Sequence, residues 1–404
     1  MKDLHRILLH NLMIICLICG TTSTFAKSGI GLGVASEYAY DNNIKRVNTN
    51  KEEALILLAK PTVGLQLDIG KFSLTAAGHG VFAYDQLGSG DDYEDLAATG
   101  ALAWKANRYH GMTIEYLYSD AHIPRGTLEA FLPPTAPLEY EFTQIGSGKL
   151  SFPIYKDSYD LHLGGGYAEK RYFGAITTSR NRNQVFVEPE LRYRYSGKTS
   201  AVFGYRINDV KMLDQAPVTN LNLFSQSGYI GARWLATGKS QSHALIGYEF
   251  AHAYNDANGR DDNSGKFKID VAAQWRRKSF STVVLKLKRE SQSSELFGVG
   301  YLVKSDITGN WIHKLTNHWG LDAGSTLYML EALDKPRKLG GEFFVREIGG
   351  EFSVRTGYDR TWIGFGIRTS FYYRLGITDL LSWKFDPTRH FTAYKIALEA
   401  RLSI

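Results

Sequence analysis

The stretch Phe391–Ile404, FTAYKIALEARLSI, carries an apolar residue at every second position: Tyr394, Ile396, Leu398, Ala400, Leu402 and Ile404. Lys395, Ala397, Glu399, Arg401 and Ser403 fall between them. A period of two is the pattern of a strand with one apolar and one wet face. Such a strand needs an apolar surrounding for one face only. No polar tail follows Ile404.

The same alternation recurs upstream. Phe267, Ile269, Val271, Ala273 and Trp275 share one face, against Lys268, Asp270, Gln274 and Arg276. Val185, Val187, Leu191, Tyr193 and Tyr195 oppose Glu188, Glu190, Arg192 and Arg194. Val283, Leu285 and Leu287 oppose Lys286, Lys288 and Glu290, and Ile363, Phe365, Ile367, Phe371 and Tyr373 oppose Arg368 and Arg374. Tight turns fall near Gly70, Asn107, Lys156, Gly197, Lys239, Arg277, Asn317 and Tyr358, with a longer polar loop between each pair. The period is about 40 residues, a spacing shared with propeller blades. Propeller strands are short, however, whereas each period here holds two strands of about 12 residues, long enough to cross a membrane when tilted.

The count is 18 strands, from 29–40 to 391–404, or 16 if 54–67 or 222–237 is misread. The interior of so large a barrel is too wide for side chains to fill. The apolar face therefore looks at lipid and the charged face at water. The expectation is an all-β, antiparallel, transmembrane outer-membrane β-barrel, with short periplasmic turns and longer extracellular loops. Tyr38, Tyr40, Tyr84, Tyr195, Trp275, Trp319 and Tyr373, near strand ends, would form interfacial girdles. The last strand is expected to close against 29–40, with Lys395, Glu399 and Arg401 in the lumen. Outer-membrane barrels commonly end on Phe, and this chain ends on Ile404.

Residues 1–26 read as a secretory signal peptide: Lys2 and Arg6 ahead of the apolar run LLHNLMIICLICG, then Thr24-Phe25-Ala26 as a cleavage site. Residues 27–404 would form a single barrel domain in the Gram-negative outer membrane. Cys16 and Cys19, the only cysteines, lie in the removed segment, so disulfides and thiolate metal sites are excluded from the mature chain. Losing Lys2, Arg6 and Asp3 takes the net charge from +6 to +5, a mild basic excess that is no nucleic-acid signature. No run approaches the ~20 apolar residues of a helical span.

Turn positions set which charges meet across each hairpin. A turn centred near residue 197 puts Glu188 opposite Arg206. One near 278 puts Asp270 opposite Lys286, and one near 357 puts Glu347 opposite Arg368. Such pairs keep a wet wall satisfied. The remaining cations, Arg192, Arg194, Lys268, Arg276, Lys288, Lys395 and Arg401, are either part of that wall or a basic track for an anionic solute. The loop 119–137, with Leu128, Phe131 and Leu132 at helical spacing, either folds into the mouth as a constriction with Arg125, Glu129 and Phe131, or packs as a stiff surface loop. The acidic cluster Asp91, Asp92, Glu94, Asp95 and the run Asn255–Asn263 could attract divalent cations, but the second lacks the spacing of a calcium loop and both read as solvated hairpin loops. No HExxH or G-x-S-x-G is present, and His162 beside Asp160 reads as structural. Gly164-Gly165-Gly166 is a strand interior that tolerates a bend or a close-approaching chain. No catalytic residue, metal site or cofactor is expected.

Asp41-Asn42-Asn43 closing the first strand, Arg125-Gly126-Thr127 in the long loop and Tyr195-Ser196-Gly197-Lys198-Thr199-Ser200 at a turn resemble the β-barrel porin type 2 family. Its members are outer-membrane barrels encoded with exopolysaccharide or capsule synthesis genes. The resemblance implies a non-enzymatic channel for export of an exopolysaccharide or capsular polysaccharide. Its partners would be outer-membrane lipid, lipopolysaccharide, the polysaccharide itself and periplasmic export components. The alternatives are a general or sugar-selective small-solute porin and a lipid-modifying outer-membrane enzyme.

Overall fold

The computed structural model describes residues 28–403, apart from 48–49, 89–90, 107–109, 124, 126–136, 156–157, 175–179, 214–220, 238–239, 256–259, 278–279, 294–300, 333–345, 361–362 and 380–383. Residues 1–27 and 404 also lie outside it. The expected signal peptide, Glu129, Phe131 and Ile404 are therefore not described.

The strands are β1 (Gly29–Asp41), β2 (Ala54–Ile69), β3 (Phe72–Asp85), β4 (Tyr93–Lys105), β5 (Gly111–His122) and β6 (Tyr140–Tyr155). They continue with β7 (Tyr159–Phe173), β8 (Arg182–Arg194), β9 (Thr199–Met212), β10 (Asn222–Thr237), β11 (Ser240–Asn255) and β12 (Arg260–Arg277). The last are β13 (Ser281–Ser293), β14 (Tyr301–Lys314), β15 (Trp319–Ala332), β16 (Arg346–Asp359), β17 (Ile363–Asp379) and β18 (Lys384–Ser403). Each pairs antiparallel with its neighbours in sequence, and β18 pairs with β1, so the 18-stranded sheet closes on itself. Closure removes both sheet edges, which is what a spanning sheet must do. Both strands that looked weak in the sequence, β2 and β10, are full members of the wall.

The two faces of this wall differ sharply. One parity of each strand is apolar and open: Phe267 is 73% exposed, Ile246 58%, Leu285 56% and Leu398 55%. The other parity carries the charges and is crowded, with Glu190 at 5% and Glu347 at 0%. Side chains two strands apart meet on this second face, such as Arg233 of β10 and Glu190 of β8 at 3.1 Å. An open apolar parity is the one that lipid accepts, so the charged parity lines the lumen.

The outward face is banded. Trp104, Trp234, Trp275, Trp311 and Trp319 lie on the outward parity at the tight-turn end of their strands. At the loop end the same face turns polar, with Glu169–Arg171 at 2.6 Å and Arg289–Glu331 at 3.1 Å. On β12 the apolar zone runs from Trp275 to Phe267. Eight residues at about 3.3 Å each, tilted by about 40°, give a height of roughly 20 Å. That is close to the ~25 Å band that lipid requires of a spanning barrel. No described helix is long and apolar enough to cross a membrane.

Candidate functional site: the inner wall

All of Glu188, Glu190, Arg192, Arg194, Arg206, Lys268, Asp270, Arg276, Lys286, Lys288, Glu347, Arg368, Lys395, Glu399 and Arg401 stand on the inward parity. Strand alternation alone fixes this, because a period of two leaves no freedom once one residue is placed.

The partners differ from expectation in two of three hairpins. Glu188 does meet Arg206, at 3.8 Å. Asp270, however, lies opposite Lys288, while Lys286 lies opposite Ala272. The turn is centred one residue later than the sequence suggested, which shifts every partner by two. Asp270 is instead engaged by His243 Nε2 at 2.9 Å. The turn after β16 falls at 360–362 rather than near 357, so Arg368 faces Arg355 and Glu347 faces Gly376. Glu347 is held by Tyr328 Oη, which donates at 3.0 Å, and by Arg374 at 3.6 Å.

The basic track is also smaller than expected. Arg192 pairs with Glu190 at 2.5 Å, Arg194 with Asp160, Lys288 with Glu290 at 2.5 Å, Lys395 with Glu37 at 2.7 Å and Arg401 with Asp359 at 3.3 Å. Lys268 and Arg276 keep no carboxylate within ion-pair distance among the described residues, and Lys149 and Lys286 join them. Lys268 instead lies 5.7 Å from the Tyr229 ring centroid.

At the seam two carboxylates meet: Glu37 of β1 lies directly opposite Glu399 of β18. Side by side and alone, they would repel. Each is held by two cations, Glu37 by Lys395 and by Lys60 at 2.5 Å, Glu399 by Arg355 at 2.6 Å and Arg368 at 2.9 Å. The wet face of the closure is thus a charge network running from β16 to β2.

Aromatic side chains on this face lie along the wall rather than across the lumen. Tyr229 faces Gly204 of β9, and a Cβ there would overlap the ring. The bare backbone lets Tyr229 lean over β9 and donate to Glu188 at 2.8 Å and Glu190 at 3.2 Å. Phe186 lies over Gly166 in the same way, with the Arg206 guanidinium 4.9 Å from its ring centroid. The triple glycine is thus a place where a ring approaches the strand. His162 is not paired with Asp160; its Nδ1 lies 2.7 Å from Ser151 Oγ.

The loop end holds what the sequence reading missed. Ala39, Ala54, Ile56, Leu58, Ala83 and Ala397, all inward, form a dry cluster, with Ile44 of the β1–β2 loop packed on it. A second dry cluster joins inward Val210, Leu223, Ala251 and Ala253 to Leu221. Ile56 and Leu58 sit in the run Ala54–Ala59, apolar on both faces, which was the available signal. Three loops are tied together by Asp91, which accepts from Lys45 at 2.9 Å and from Arg125 Nε at 2.7 Å. Asp91 is thus an ion-pair hub rather than part of a solvated acidic loop. Arg46 makes two 2.8 Å bonds to Asp41, and Asn43 donates to the Thr392 carbonyl at 3.0 Å. Asp41, Asn42, Asn43 and Arg125 therefore fasten loops to the mouth of the barrel. No group of three metal-ligating side chains occurs among the described residues.

No protein-family model matches the chain, and no curated protein matches it. Several solved structures are similar to it. The FrpB iron transporter of Neisseria meningitidis gives a TM-score of 0.48 at 8% identity, covering 94% of this chain and 81% of that one. The outer membrane protein opdK of Pseudomonas aeruginosa gives 0.45 at 11% identity, covering 93% and 98%. The siderophore receptor PirA of Acinetobacter baumannii gives 0.44 at 8% identity, covering 95% and 81%.

Proposed function

We propose that the chain is a passive aqueous channel of the Gram-negative outer membrane, and not an enzyme. One observation carries this: a closed 18-stranded wall whose outward face is apolar and Trp-girdled while its inward face is an ion-paired, wet surface. Lipid outside and water inside satisfy both faces at once, and no other pair of solvents does. Lys149, Lys268, Arg276 and Lys286 have no carboxylate within ion-pair distance among the described residues, which favours anions.

The finer reading is export of an exopolysaccharide or capsular polysaccharide, supported by the sequence resemblance. The polymer would pass by repeated weak contacts with the charged wall, driven by its synthesis or by periplasmic partners. The second reading, a small-solute porin, is favoured by the dry clusters and tied loops at the loop end. Purified full-length protein in a planar bilayer separates them. Current steps with anion preference, blocked by an acidic polysaccharide added on one side, support export. Passage of small sugars with indifference to the polymer supports the porin. No conductance at all would remove both.

A further inference from the structure

The inner wall between β5 and β10 holds a recess of about 390 Å³, within the ~300–1,000 Å³ range of small-molecule sites. Lys149, His162, Arg233, Glu115, Glu188 and Glu190 line it, and Gly164 and Gly165 form part of its floor. Three of these side chains present unused hydrogen-bonding capacity to one space. Lys149 has no carboxylate within ion-pair distance among the described residues. Arg233 Nε and His162 Nε2 are buried without a partner. His162 Nδ1 lies 2.7 Å from Ser151 Oγ; in the tautomer in which Nδ1 accepts, Nε2 carries the proton and all three groups are donors.

The acidic side chains beside them are not equivalent. Glu190, buried, is fully occupied by Arg192, Arg233 and Tyr229. It holds the Arg233 head at 3.1 Å and leaves Nε without a partner. Glu188 accepts from Tyr229 at 2.8 Å and keeps lone pairs free. Glu115 is exposed and has no ion-pair partner among the described residues. Buried donors without acceptors call for an oxyanion. Glu115 and Glu188 repel a dianion yet accept readily from hydroxyl groups.

We propose that this recess binds a hydroxylated monocarboxylate, that is, a sugar acid. Its carboxylate is bound by Lys149, Arg233 and His162, and its hydroxyls donate to Glu188 and Glu115. The site rests on the channel reading, because it opens to the lumen and would be visited by solute in transit. It gives the channel a preference for acidic sugars over neutral ones.

The test is calorimetric titration of the detergent-solubilised full-length barrel with D-galacturonate, D-galactose and inorganic phosphate, with the folded state checked by migration on unheated gels. Galacturonate is expected to bind saturably, and galactose and phosphate at least about tenfold more weakly. Lys149→Met should weaken galacturonate about tenfold, the order expected for one lost charge-assisted contact. Thr99→Val, on the β4 inner wall outside the recess, is expected to bind as the unmodified chain does. Equal binding of galactose, tighter binding of phosphate, or an unchanged affinity in folded Lys149→Met would overturn the assignment. Bilayer recordings keep the two readings apart. Conductance without galacturonate binding sinks the site alone, and galacturonate binding without conductance sinks the channel.

Discussion

Gly204→Ala tests whether the inner wall is shaped by rings lying on bare backbone. The new methyl would stand inside the Tyr229 ring, near Cζ and Oη. Backbone in a closed barrel cannot retreat, since β9 is paired on both sides. The ring end can swing, and the only open direction is the lumen. Tyr229 then loses its bonds to Glu188 and Glu190, 2.8 and 3.2 Å long. Hydrogen bonds to charged groups contribute about 1.5–3 kcal/mol each. Lumen water replaces part of that, which leaves a net destabilisation of about 2 kcal/mol. A ring standing across the lumen also obstructs current. The assay is single-channel conductance in a planar bilayer, with the heat-modifiable gel shift reporting stability. Gly204→Ala should lower both the conductance and the unfolding temperature. Gly204→Ala combined with Tyr229→Ala should recover conductance, since the obstruction is gone, without recovering stability. Normal conductance in folded Gly204→Ala, or a double variant still obstructed, would refute the reasoning.

Leu398→Arg, on the lipid face of β18 and 55% exposed, should cost roughly 2–4 kcal/mol near mid-bilayer and reduce folding yield into vesicles. Its neighbour is not neutral either: Glu399→Gln leaves Arg355 and Arg368 without their shared carboxylate, and a lowered urea midpoint for seam opening should report it. Charge reversal at Lys268 and Lys286 should move reversal potentials toward cation selectivity. Reversal at Arg192 or Lys288, already paired, should move them less. Asp91→Ala removes the carboxylate shared by Lys45 and Arg125, which are 8% and 6% exposed at the side chain, and breaking a buried pair costs about 3–5 kcal/mol. Faster proteolysis of the β1–β2 loop with the barrel intact is the expected readout.

How much of this was legible without coordinates depends on the range of the interaction. Alternation is local. Leu398 and Lys395 face opposite ways because neighbouring residues in a strand must, and the same rule put every expected lumen residue on the inward parity. Strand number followed from counting such segments, and even β2, apolar on both faces, kept its place. Closure of β18 on β1 followed from the number, since a spanning sheet tolerates no edge.

Partners were not legible at the same level. The turn after β12 sits one residue later than its sequence suggested, and Asp270 thereby exchanged Lys286 for Lys288. A few residues of error at the β16–β17 turn gave Arg368 to Glu399, a residue on a different strand. Many inward contacts also reach across two strands, as Tyr229 does to Glu188, and no hairpin rule counts those. Nor could the sequence say that Ile56 and Leu58, facing a lumen, would be dry. Their burial depends on Ile44, delivered by a loop whose path is set by Asp41, Asp91 and Thr392 from elsewhere in the chain. The sequence by itself determined a closed wall with one wet and one apolar face, because that rests on nearest neighbours and on the solvent each face demands. Only the tertiary structure decided which charges neutralise one another, which cations keep no carboxylate among the described residues and which inward residues are dry, because those depend on side chains brought together by curvature across the barrel.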